Sequence, residues 1–195
     1  MGTRFSEVYN RFLGKITDDM YMELTPEDTI KDLRSLLIDA IPGFEFPRKV
    51  IDDYVVETII IEENECKEDD LIIGVCWDKL PEDATDYIPE VYVERSRFAA
   101  DLTSEEINIL AILMMNGWLQ RQVTSIENTR MKYSGSDFKF TSQANHIAKL
   151  KLLKDSYDQD GKHLQRLYKR RKRVNGQIIS TFGQIMEVPS YGYKI

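Results

Sequence analysis

Cysteine and histidine are scarce in this chain, two of each among 195 residues. Cys66 and Cys76 supply no disulfide framework, and a reducing compartment is the simplest setting for them. With His146 and His163 they make four candidate metal ligands, yet no pair stands at CxxC or HxxxH spacing. Long apolar runs are also missing. The most hydrophobic stretch, INILAILMM (Ile107 to Met115), falls well short of the about 20 residues that cross a bilayer, so no membrane partner is expected. The opening MGTRFSEVYNRFL carries Glu7 and no uninterrupted apolar stretch, and it is not read as a signal peptide. Gly2 and Ser6 fit the loose myristoylation pattern, but Phe5 reads better as the first core residue of a helix.

The usual catalytic punctuation is absent as well. No glycine-rich loop opens a helix, which removes the common phosphate cradles, and no GxSxG elbow accompanies the two histidines. SYDQDGKHLQRL has Asp158, Asp160 and Gly161 in calcium-loop positions, but Ser156 stands at the first ligand position and Leu167 at the closing one. No catalytic residue, metal or cofactor is therefore expected.

What is present suits a folded domain: 42% hydrophobic and 30% charged residues, enough length for a core without crosslinks. The net charge of −7 is unevenly spread. Met1 to Ala100 holds 24 acidic and 11 basic residues, a net of −13, whereas Asp101 onward holds 9 acidic and 15 basic, a net of +6. The acidic half should avoid nucleic acid; the basic end suits phosphate or an acidic protein face.

Phe5, Val8, Tyr9, Phe12, Leu13 and Ile16 recur at helical spacing. A second helix is signalled by Thr25 as cap, Pro26 at its first position and Glu27 and Asp28 at its positive end, with Ile30, Leu33, Leu37 and Ile41 as the buried face and Pro42-Gly43 as the stop. From Phe44 to Val93 the texture changes: VVETIIIEE and LIIGVCW are β-branched and short, separated by the acidic EENECKEDD. Helical patterns return at LTSEEINILAILMMNGWLQRQVTSIENT, where Thr103 and Glu106 stand at capping-box spacing and apolar residues cover nearly every side. In the last helix Ile147, Leu150, Leu153, Tyr157, Leu164 and Tyr168 form a stripe in which Gly161 either permits close packing or breaks the helix. The expected fold is mainly α: a four-helix bundle with a small β-rich insertion and an extended C-terminal tail. Its parts would be a first helix pair over 1–43, a β-rich acidic insertion and loop over 44–100, a second helix pair over 101–173 and a docking tail over 174–195.

Three features stand out as candidate contact sites. Lys169, Arg170, Arg171, Lys172 and Arg173 form an unbroken run of cations, more than the negative end of a helix needs. The tail then carries Ile178, Ile179, Phe182, Ile185, Met186, Val188, Tyr191 and Tyr193, too many apolar groups for a disordered linker, which suits docking on a sheet edge or groove. Glu62, Glu63, Glu65, Glu68, Asp69 and Asp70 make an acidic tip to the insertion.

The stretch LTSEEINILAILMMNGWLQRQVTSIENTRMKYSGSDFKFTSQANHIAKLKLLKDSYDQDGKHLQRLYKRR with its tail, Leu102 through Ile195, together with the helices at Arg4 to Ile16 and Thr25 to Ile41, resembles the head–tail connector (adaptor, or neck) proteins of tailed bacteriophages. The resemblance implies a connector-type bundle that assembles in the virion as a ring of about twelve copies. Such a ring sits beneath the portal protein, extends the DNA channel past which the genome moves without sequence-specific contact, and offers a platform to a further neck or tail-completion protein. It implies that the tail embraces the portal or a neighbouring subunit, that the acidic tip faces the channel or the next neck protein, and no catalytic residues. The β-rich insertion departs from the minimal connector and leaves the level in the neck stack open. The alternative class is a nucleic-acid-binding accessory protein that uses the basic run, with salt-sensitive affinity.

Overall fold

Phe5, Val8, Tyr9 and Phe12, three or four residues apart, wind into the first helix, α1 (Phe5–Leu13), and all four are buried. The computed structural model describes residues 2–16, 20–67, 70–75, 89–132, 141–174 and 177–180. A single turn, α2 (Met20–Glu23), precedes α3 (Pro26–Ala40). The Thr25 hydroxyl accepts from the Asp28 amide at 3.2 Å, and Pro26 occupies the first turn, where its missing N–H costs nothing. A 3-10 turn over Ile41–Gly43 ends this helix.

Strands follow. β1 (Tyr54–Val55) pairs antiparallel with β5 (Arg97–Phe98). β2 (Thr58–Glu62), β3 (Leu71–Val75) and β4 (Glu90–Glu94) form an antiparallel sheet in the order β2-β4-β3. The register on β4 shifts between Ile72 and Gly74, and the extra residue, Ile73, is buried in the main core.

α4 (Ser104–Lys132) packs against α1, α3 and α5 (Thr141–Arg170). Gly161 lies inside the unbroken α5, and a Cβ there would stand 3.4 Å from Ile112, so close packing on α4 is its role. The calcium-loop pattern is absorbed by this helix, where Lys162 pairs with Asp158 one turn earlier at 2.6 Å. The chain then reverses as a ribbon of β6 (Arg171–Val174) and β7 (Gln177–Ser180).

These observations correct the mainly α expectation. The fold mixes α and β, and the strands are built into the core instead of being inserted beside it. Ile51, Ile73 and Phe98 share one hydrophobic cluster with Phe5, Leu33, Leu37, Leu110 and Met114. The N-terminal residues join the strand region by main-chain bonds: Thr3 N–H to Ala100 at 3.1 Å, Phe5 N–H to Ser96 at 3.0 Å, and Phe98 N–H to Thr3 at 2.8 Å. Gly2 lies so close to the Phe98 carbonyl that a side chain would collide with it. The rings of Phe5 and Phe98 lie 4.7 Å apart, with Tyr54 5.7 Å from Phe5. Pairings between residues so distant in sequence leave no local periodicity to read. The extended-tail expectation is corrected too where the chain is described, because β6 and β7 pair antiparallel; residues 175–176 and 181–195 lie outside the described residues.

Candidate functional site at the end of the last helix

The end of α5 is held by contacts from three segments. The Gln165 side chain, buried, donates to the Gly43 carbonyl at 3.2 Å and accepts from the Glu45 amide at 2.7 Å, which ties the helix to the turn after α3. One turn later, Tyr168 stacks edgewise on Phe44 with ring centres 5.6 Å apart. The Arg48 guanidinium lies 4.1 Å from the centre of the Tyr168 ring and donates to the Tyr168 carbonyl. A cation over an aromatic face and on a terminal carbonyl is favoured by both the ring quadrupole and the helix dipole.

The Tyr168 hydroxyl donates to Glu106 in the first turn of α4. Burial, then the bond to Glu106 and its charge, push this hydroxyl well above the usual phenol range. Burial also pushes the Glu106 carboxyl up, but bonds from the Thr103 amide, the Tyr168 hydroxyl and the Thr103 hydroxyl outweigh it and hold the group below the usual carboxylate range. The Thr103–Glu106 capping box forms reciprocally: Thr103 N–H and Oγ donate to Glu106 at 2.6 and 2.9 Å, and the Glu106 N–H donates to Thr103 Oγ at 3.3 Å.

The run of cations is divided by this geometry. Lys169 and Arg170 finish α5, and the Lys169 ammonium lies 4.1 Å above the Phe46 ring. Arg171 opens β6 and donates to Glu105 at 2.9 Å. Lys172 and Arg173 continue β6 at register positions opposite Ile179 and Ile178 of β7. Of the apolar tail residues, Ile178 and Ile179 belong to the ribbon, while Phe182, Ile185, Met186, Val188, Tyr191 and Tyr193 lie outside the described residues.

The acidic tip separates similarly. Glu62 ends β2, and Glu63 and Glu65 occupy an exposed 3-10 turn. Glu68 and Asp69 lie outside the described residues. Asp70 turns inward: it accepts from Arg95 at 2.6 and 3.2 Å and from Arg4 at 3.2 Å, and the Arg95 hydrogen bond comes first among the causes that lower its pKa. It fastens the β2–β3 connection to the N-terminal segment instead of joining an acidic surface. Cys66, half-buried beside it, has its thiol pKa raised by burial and by Asp70.

His146 and His163 sit on exposed positions of α5, and Cys76 lies outside the described residues. Among the described residues no group of three or more His, Cys, Asp and Glu is placed to hold a metal ion, and no helix is long and apolar enough to cross a membrane. The residues that sequence reasoning missed are Phe46, Arg48, Glu105 and Gln165. Tyr168 and Glu106 were visible only as a stripe position and a cap. Arg48 and Tyr168 are 120 residues apart, and no local signal joins them.

Comparison of the chain with protein-family models, with curated proteins and with solved structures found no match.

Proposed function

We propose that this chain is a structural component of the neck of a tailed bacteriophage, a head–tail connector subunit whose C-terminal arm docks on the portal protein or on a neighbouring subunit. The observation that carries the reading is the launch of that arm. The end of α5 is fastened through Gln165 and Tyr168 and the start of β6 through Arg171, and the chain continues as a two-stranded ribbon that joins no other sheet among the described residues. An isolated hairpin is marginal by itself, and its open edges offer main-chain groups to a partner strand. A rigid base with such a ribbon supports docking by strand addition. Repeated around a ring, a weak arm contact becomes a durable joint through effective concentration.

The accessory nucleic-acid reading draws less support, because Lys169 and Arg171 are engaged by Phe46 and Glu105. The deciding experiment is quantitative mass spectrometry of purified, DNA-filled particles from the source culture. A fixed copy number near that of the portal is expected; absence from particles while the protein is abundant in the lysate overturns the connector reading.

A further inference from the structure

The three-stranded sheet has two outer edges, and they differ. On β3 the ladder is broken by the bulge at Ile73, a feature that spoils an edge for further pairing. β2 is regular along all five residues, and no strand pairs with its outer edge among the described residues. It carries an exposed Ile60, 49% accessible, and the extended segment leading to it exposes Val55 and Val56. Acidic residues flank it: Glu57 before the strand, Glu62 at its end, and Glu63 and Glu65 in the turn that follows. Two such edges repel one another, so identical β2 strands are poor partners.

The C-terminal ribbon has the complementary chemistry. In its backbone register Lys172 stands opposite Ile179 and Arg173 opposite Ile178, so the ribbon's sequence brings cations and β-branched residues to paired positions. Within one chain the ribbon and the β2-β4-β3 sheet are separate sheets.

We propose that the β6–β7 ribbon of one copy adds to the outer edge of β2 in a second copy, with Lys172 and Arg173 meeting the Glu62, Glu63 and Glu65 end. The inference rests on the reading of the arm as a docking element and names the surface that takes it. Main-chain pairing supplies affinity, and opposite charge sets the direction. The two patches differ, so the contact is heterologous: it propagates from copy to copy and closes a ring when the rotation per step allows.

Sedimentation velocity of the full chain at low salt, from micromolar to millimolar concentration, tests this with charge reversals. The K172E/R173E variant and the E62K/E63K/E65K variant each weaken self-association about tenfold. Mixing the two, or combining all five changes in one chain, restores it, an outcome that misfolding of either variant would not produce. A chain that stays monomeric throughout, or association unmoved by either reversal or not rescued by mixing, overturns the inference. Particle incorporation of the same variants separates the two readings. Incorporation without self-association leaves the docking arm standing and moves its partner to the portal; self-association without incorporation removes the connector role alone.

Discussion

The two long helices are nearly equal in length, 29 residues in α4 and 30 in α5, yet they do opposite work. α4 buries Ile107, Ile109, Leu110, Ala111, Ile112, Met114, Met115, Trp118, Leu119 and Val123, which no single stripe can hold. It is the spine on which α1, α3 and α5 lie. α5 buries one stripe, with Gly161 taking a position where a larger residue would push it off α4, and leaves Leu152 71% and Leu153 44% exposed. A helix apolar on all sides becomes interior, and a helix with one interrupted stripe becomes an outer wall. Hydrogen bonds fasten the wall at its last turns, where Gln165 and Tyr168 reach the turn after α3 and the start of α4. That is where the chain departs as a ribbon.

The largest way to break this contrast is Leu110→Ala in α4. Its side chain is fully buried, and the cavity should cost about 2–5 kcal/mol in a urea titration. Gly161→Leu should come next, at about 1–3 kcal/mol, because the new side chain meets Ile112 and separates the two helices. Tyr168→Phe removes the bond to Glu106 and leaves the carboxylate short of one partner, for an expected loss of about 1–2 kcal/mol.

Acid sharpens the same junction. The folded-state pKa of Glu106 is lowered, so its stabilisation is present above the unfolded value, about 4.3, and is lost as pH falls through the lower folded value. Thermal melts should show wild type losing stability below about pH 4 more steeply than Glu106→Gln, which is weaker at neutral pH and flatter in acid. The smallest effect belongs to the middle of the wall: Leu152→Ala should change stability by less than about 0.5 kcal/mol in the titration that exposes Leu110→Ala. A large loss there would mean that the outer face of α5 is covered in solution.

Much of the helical framework was legible. Thr25-Pro26 and Thr103–Glu106 announced two helix starts by the chemistry of caps, and both caps form. Gly161 was visible as an anomaly without a sign, and only the neighbouring Ile112 shows that it is there for close approach. The strand region misled because its β-branched texture identifies strands without saying what they pack against. Read locally it was an insertion; folded, it delivers Ile51, Ile73 and Phe98 to the centre. The candidate site was half legible. Lys169 and Arg171 stood out as cations and take part in it, whereas Asp70 looked like one more acidic surface residue until Arg4 and Arg95 closed on it.

By itself the sequence determined what is short-range: where helices begin, which faces they bury, where strands are possible, and that a run of five cations at 169–173 precedes an apolar stretch. Those properties follow from spacing within a few residues, where backbone geometry and side-chain volume act directly. Tertiary structure alone decided that the strands enter the helical core, that Asp70 is an internal clasp, and that Arg48, Glu106 and Tyr168 meet at the end of α5. Those contacts join residues tens to more than a hundred positions apart, and their stabilisation exists only once the core has brought them within hydrogen-bonding range.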